Sequence, residues 1–232
     1  MNFALITEGP SEHRVIKHII AKYFKGQEVE INQIQPKIIN EKQETVGGWN
    51  EVLKYCEREE VKDIFVENDY LVIQIDTDLS QTKPFSVSHT KQDAETKAIV
   101  NKTVEDLHAD VVEKLQSLIR PEILAVYGDK ILFAICVHTI ECWLLPLHFA
   151  DHHRSSTSNC LAILNTSLRK QDINQIPTKN KNSPQSIRTY ETILRDWRKK
   201  ADIVQSAKYN PAFQKFVDSL GNIPFPSGIG DY

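Results

Sequence analysis

Two apolar runs in this chain each end on carboxylates, and that pairing constrains the fold more than any bulk property. Phe3-Ala4-Leu5-Ile6-Thr7 runs into Glu8-Gly9-Pro10-Ser11-Glu12, and Tyr70-Leu71-Val72-Ile73-Gln74-Ile75 runs into Asp76-Thr77-Asp78. Short continuous apolar runs read as strands buried on both faces, as in a parallel sheet. Residues just past the carboxyl ends of such strands face the crevice where ligands bind. Carboxylates gathered there repel one another unless a divalent cation or shared protons neutralise them. The pattern points to a site dependent on Mg²⁺ or Mn²⁺.

The rest of the first half supports an α/β reading. Pro10-Ser11 opens a helix whose Val15, Ile16, Ile19, Ile20, Tyr23 and Phe24 form a core-facing stripe, with Gly26 as its stop. Residues 29–34 alternate as a second strand, and 49–59 carry Trp49, Val52, Leu53 and Cys56 at helical spacing. Strand–helix–strand–helix–strand order predicts a Rossmann-like, mainly parallel sheet flanked by helices. Residues 80–100 are polar and aperiodic, a loop over the site and the segment expected to be most mobile in the first 150. A helix is expected over 104–119, a strand over 130–137, and a short helix within His138-Thr139-Ile140-Glu141-Cys142-Trp143-Leu144-Leu145-Pro146, ended near Pro146. After Asp151 the character changes to loops, including a polar one over 174–184, and to helices over 186–201 and 211–220. The expected organisation is an α/β domain over 1–150 and a C-terminal helical extension over 151–232 packed on it.

Composition narrows the partners. With 28 Lys+Arg against 31 Asp+Glu the net charge is −3, so there is no overall basic footprint for nucleic acid. A phosphate-bearing substrate would be received by local lysines and a metal. No run approaches the ~20 apolar residues that span a bilayer, and strand-like residues begin almost at once, so a soluble cytoplasmic chain without membrane contact is expected. Cys56, Cys136, Cys142 and Cys160 show no CxxC pairing, so a disulfide framework and a zinc site are both poorly supported, and the two in or beside the most apolar stretch of the second half read as buried reduced thiols.

Individual residues separate by how well packing or capping alone accounts for them. Ser11 as a cap and Glu12 beside a helix dipole are explained without function. Glu8, at the end of a buried strand, is not. Asp76 and Asp78, if strand alternation persists, point the same way and can share a cation. Glu141 is a charge in an apolar stretch and needs a partner or a cation. His138 is a weaker candidate as ligand or proton carrier. Lys179, Lys181, Arg188, Arg198, Lys199 and Lys200 could hold phosphates, although such residues more often form a solvated face. The His152-His153 pair lies in a polar loop and is not assigned a role.

These motifs resemble the TOPRIM domain. Glu8-Gly9-Pro10-Ser11-Glu12 and Asp76-Thr77-Asp78 match its glutamate and DxD motifs. Glu141-Cys142-Trp143-Leu144-Leu145 and Asn210-Pro211-Ala212-Phe213 are similar to segments of stand-alone TOPRIM proteins related to RloB-like and overcoming-lysogenization-defect nucleases. The resemblance covers about residues 1–150. It implies metal-dependent phosphodiester chemistry, with anti-phage defence as a common setting. Asp76 and Asp78 would hold Mg²⁺ or Mn²⁺, Glu8 would complete the shell or move a proton, and Glu141 would assist a second ion. Leu79-Ser80-Gln81 follows Asp78 where many topoisomerase and primase members have another acid or a glycine, which argues against those two activities.

The leading expectation is a nuclease acting on DNA or RNA. The alternative is a catalytically quiet TOPRIM-like module that binds a partner such as an ATPase subunit, which the acidic balance favours. A phosphatase or a DxD glycosyltransferase is a weaker fit, because the DxD is not on the first strand and Glu8-Gly9 has no role in the latter.

Overall fold

The computed structural model describes residues 1–39 and 42–224. The apolar runs form the expected parallel strands: β1 (Asn2–Ile6), β2 (Glu30–Gln35), β5 (Tyr70–Asp76) and β8 (Ile131–Cys136). They make a four-stranded sheet in the order β2-β1-β5-β8, every pairing parallel. Two-residue strands β3 (Ile38–Ile39) and β4 (Lys42–Gln43) and three-residue strands β6 (Thr90–Gln92) and β7 (Ile99–Asn101) form separate antiparallel ribbons.

Parallel neighbours need crossovers, and helices supply them. These are α1 (Pro10–Tyr23), α2 (Trp49–Cys56), α3 (Val104–Leu118) and α4 (Pro121–Tyr127), followed after β8 by the four-residue α5 (Glu141–Leu144). Then come α6 (Cys160–Lys170), α7 (Pro184–Leu194), α8 (Lys200–Ala207) and α9 (Pro211–Gly221). The sheet buries alternate side chains into two clusters. One joins Leu5 and Val72 to α1, Trp143 and the later helices; the other joins Ile6 and Ile73 to α2, α3 and α4. Trp197, Phe213 and Phe216, all fully buried, lie in the same cluster as Phe3 and Ile16, so the extension shares the core of the sheet. Helix α9 reaches both clusters, through Ala212 on one side and Phe213 on the other, and packs against edge strand β8. A covered edge cannot template another strand.

The topology fixes where a ligand belongs. From β1 the chain steps outward to β2, then returns across β1 to β5. The order reverses between β1 and β5, and in open α/β sheets the crevice forms beyond the carboxyl ends at such a reversal. Glu8 follows β1 and Asp76 ends β5, so the two acidic motifs straddle that point.

Several local expectations are revised. The helix expected over 49–59 stops at Cys56, and Glu59–Val66 continues as 3₁₀ turns. The segment 80–100 is less irregular than its composition suggests. Phe85 is fully buried and stacks on Trp49, the Val87 N–H donates to Ser80 O while the Ser80 hydroxyl donates to Val87 O, and β6 and β7 form a hairpin. The helix expected over 186–201 breaks after Leu194, and Trp197 turns into the core. Helices α4 and α6 went unread because each is short and only part of its face is apolar. A disulfide framework is not expected from the cysteine spacing, yet Cys142 and Cys160 form a disulfide, with Cα atoms 5.0 Å apart across 18 residues of sequence. No spacing rule could reveal that α5 and the start of α6 would meet. Cys56 and Cys136 are buried free thiols, as expected.

Candidate active site

The end of β1 and the end of β5 are joined through their acidic residues. The backbone N–H of Asp76 donates to Glu8 Oε1 at 2.7 Å, and Gln74 Oε1 accepts from the Glu8 N–H at 3.1 Å. Gln74 Nε2 donates to Asp76 Oδ1 at 3.0 Å. Gln74, fully buried, is thus a clamp between the two motifs. Sequence reasoning passed over it as one polar residue in an apolar strand, which was itself the signal, since a buried amide must find partners.

Asp78 stands on the same cleft as Glu8, Glu12 and Asp76, a cavity of about 450 Å³ that Lys179, Lys181 and Asn182 also line. Strand β5 ends at Asp76, so strand alternation does not carry Asp78 into place. A turn does: Thr77 and Asp78 donate backbone N–H groups to His138 O at 2.9 and 3.1 Å, and His138 N–H donates to Thr77 Oγ1 at 2.8 Å. His138 adopts φ 62°, a left-handed conformation uncommon outside glycine, and it serves the site through its backbone.

Glu141 is fully buried on α5. Its partners come from the extension. Tyr190 of α7 donates its hydroxyl to Glu141 Oε1 at 2.5 Å, and Lys181 Nζ lies 3.1 Å from the same oxygen and 3.4 Å from Oε2. The same ammonium is 3.9 Å from Asp76 Oδ2. Lys181 therefore links the DxD motif to Glu141. Among the six basic candidates it alone is brought onto the carboxylates, and Lys179 lines the same cleft.

Glu12 departs from the expectation of a simple helix-dipole residue. It is 5% exposed, lines the cleft, and accepts from Ser11 Oγ at 2.8 Å. Helix α1 has no side-chain cap at Gly9; instead Asn182 Oδ1 accepts the Ser11 N–H at 3.1 Å. Gly9 is extended, so its lack of a side chain is not a matter of backbone strain. A Cβ there would lie 2.6 Å from Asn182 Nδ2 and 2.8 Å from Glu12 Oε2. The close approach that Gly9 permits is that of the extension.

The electrostatics follow from the geometry. Burial, with the charge of Glu12, raises Glu8 from the ordinary 4.5 to about 8. Burial, then the charge of Glu8, holds Asp76 well above the usual range. Glu12 is raised by burial despite Lys181, and Asp78 by partial desolvation at the rim. Burial alone would raise Glu141 too, but Lys181 and the hydroxyls of Thr139 and Tyr190 bring it below the ordinary value. Lys181 is itself raised: burial opposes its charge, and Asp76 and Glu141 outweigh burial. Burial lowers His138, which leaves its imidazole neutral near pH 7.

The donor set of Glu8, Glu12, Asp76, Asp78 and Glu141 consists of hard oxygens, the chemistry that Mg²⁺ and Mn²⁺ select. In chemistry it fits such an ion. In spacing it is open, because the carboxylates surround the Lys181 ammonium. Among the described residues, one trio of potential ligands has its atoms within 4.8 Å of one another, and that is Asp151, His152 and His153. The trio sits on the surface and none of it lines the cleft.

The fold and site together define an α/β protein with an acidic cleft at the reversal point of a parallel sheet. Comparison with protein-family models, curated proteins and solved structures gives no match to this chain. No helix among the described residues is long and apolar enough to cross a membrane.

Proposed function

We propose that this protein is a metal-dependent nuclease of the TOPRIM type, hydrolysing phosphodiester bonds of DNA or RNA, with anti-phage defence as its setting. The observation that carries the reading is the Glu8–Asp76 junction across the sheet's reversal point, at 2.7 Å, with three more carboxylates around it. Those acids outnumber Lys179 and Lys181 in the cleft wall, and the raised pKa values of Glu8 and Asp76 express a crowding that a divalent cation would relieve. Glu8, Asp76, Asp78 and Glu141 would hold Mg²⁺ or Mn²⁺, with Glu12 beside them.

A bound ion would supply a water made acidic enough to attack phosphorus and would neutralise charge on the phosphate. The chain does the rest. Gln74 holds the Glu8 backbone N–H and the Asp76 N–H holds Glu8 Oε1, so Oε2 is the atom from which Glu8 would take or give a proton. Tyr190 and Lys181 hold Glu141. Lys179 and Lys181 face the direction from which a phosphate backbone would arrive, and they substitute for the missing overall basic charge.

The second reading, a catalytically quiet TOPRIM-like module that binds a partner such as an ATPase subunit, is favoured by one observation. Lys181 already pairs with Glu141 and approaches Asp76, as a permanent counter-ion would. The two readings separate in an assay of plasmid, single-stranded DNA, total RNA and tRNA with Mg²⁺ or Mn²⁺. The nuclease reading expects cleavage of one polymer by wild type and none by Asp76→Ala. An intact set of substrates under both metals moves the weight to the quiet module.

A further inference from the structure

We infer that Tyr190 is a positioning residue for the acidic site, its phenol fixing the carboxylate of Glu141 from the helical extension. The inference rests on the proposed cation-binding role of Glu141.

Packing does not demand a tyrosine at this position. Tyr190 is fully buried in an apolar cluster with Trp143, Leu164, Leu194 and Trp197, where phenylalanine would fill the same space. Burying a hydroxyl costs free energy unless it finds a partner, and its one partner is Glu141 Oε1 at 2.5 Å. That distance lies in the range of a hydroxyl donating to an ionised carboxylate. Glu141 gains by the bond in turn. It sits on a helix of four residues, too short to fix a long side chain, and it has no exposure to water. The tyrosine bond and the nearer Lys181 contact both fall on Oε1, while Oε2 has the longer 3.4 Å contact with Lys181. Thr139 adds a further hydroxyl bond to the same carboxylate, so Tyr190 fixes Glu141 together with Thr139 and Lys181. Helix α7 is itself anchored: Ser183 caps it, and the neighbouring Asn182 is bonded to Ser11 at the start of α1. Metal ligands are commonly oriented by such outer hydrogen bonds, whose loss weakens metal affinity by about 10- to 100-fold.

The test is calorimetric titration of Mn²⁺ into the full chain as wild type, Tyr190→Phe, Glu141→Gln and the double variant. The expected result is a loss of about tenfold or more in Mn²⁺ affinity for Tyr190→Phe, and no further effect of that change once Glu141 is glutamine. A fluorinated tyrosine at position 190, which keeps the hydroxyl, should bind Mn²⁺ as wild type does, and this holds as a test even if Tyr190→Phe fails to fold. Wild-type affinity in Tyr190→Phe, an equal loss in the Glu141→Gln background, or a loss with the fluorinated tyrosine would each overturn the inference while leaving the metal site standing. Absence of Mn²⁺ binding by wild type would overturn the metal reading and this inference with it.

Discussion

Replacing Lys181 by methionine removes the charge and keeps much of the shape, and the structure sets the size of the effect. The ammonium lies 3.1 Å from Glu141 Oε1 and 3.9 Å from Asp76 Oδ2, with side chains 22%, 0% and 6% exposed respectively. At an effective dielectric of about 20, the contact with the ionised Glu141 is worth about 5 kcal/mol in Coulomb terms before the cost of desolvating the lysine, and the longer contact with Asp76 less, since its carboxyl is raised toward protonation. Breaking a buried pair by removing one partner costs about 3–5 kcal/mol. For a chain of this length, about 3 kcal/mol corresponds to a fall in Tm of roughly 6–12 °C. The sign with pH follows from Glu141, now held below its ordinary pKa largely by Lys181. Without the ammonium its pKa rises, so the destabilisation is full at about pH 8 and shrinks at about pH 5, where the carboxyl takes a proton. A divalent cation would replace the missing charge, and at about 100 times its Kd it returns roughly 2.7 kcal/mol. Calorimetric melting of both proteins at the two pH values, in chelator and in Mn²⁺, checks this. Equal Tm in chelator at the higher pH, or greater stabilisation of wild type than of Lys181→Met by Mn²⁺, would refute the reasoning.

Other consequences concern the same residues. The contribution of Glu8 to the stability of the metal-free protein should fall as pH rises from 4.5 toward about 8, because Glu8 stays protonated in the fold across that window and ionises in the unfolded chain, whereas the buried His13 and His108 act in the opposite sense; denaturant titrations in which wild type does not lose stability relative to Glu8→Gln over that range would contradict this. Gly9→Ala places a Cβ 2.6 Å from Asn182 Nδ2 and 2.8 Å from Glu12 Oε2 and should cost about 1–3 kcal/mol, as read by urea midpoints; an unchanged midpoint would contradict this. Cys142→Ser with Cys160→Ser opens a closed loop of 18 residues and should lower stability by about 2–4 kcal/mol under non-reducing conditions, with no such loss when wild type is already reduced.

The sheet was legible because β1, β5 and β8 are buried on both faces and β2 alternates, each run being short and distinct from its flanks. Glu8, Asp76 and Asp78 were legible for the same reason, since a charge that ends a buried run is visible without a structure. Glu141 was legible as a charge among Cys142, Trp143 and Leu144, although its partners were not. Lys181 and Tyr190 lie 40 and 49 residues from Glu141, and Asn182 lies 171 residues from Ser11, on a loop and a helix whose patterns are those of ordinary surface and core. A lysine in a polar loop carries no mark of the cleft it enters. Glu12 was misread because a first-turn glutamate is sufficiently explained by the helix dipole, and only the third dimension turns it inward. The disulfide was hidden by the same distance in sequence.

The central claim is that the cleft between β1 and β5 takes a divalent cation. The most direct measurement is a crystal structure of the Mn²⁺-soaked protein with anomalous scattering collected at the manganese edge. The account predicts a peak bounded by Glu8, Asp76 and Glu141, with the Lys181 ammonium displaced from its present contacts. A cleft without a peak and with Lys181 still on Glu141, or manganese bound only at Asp151, His152 and His153, would contradict it.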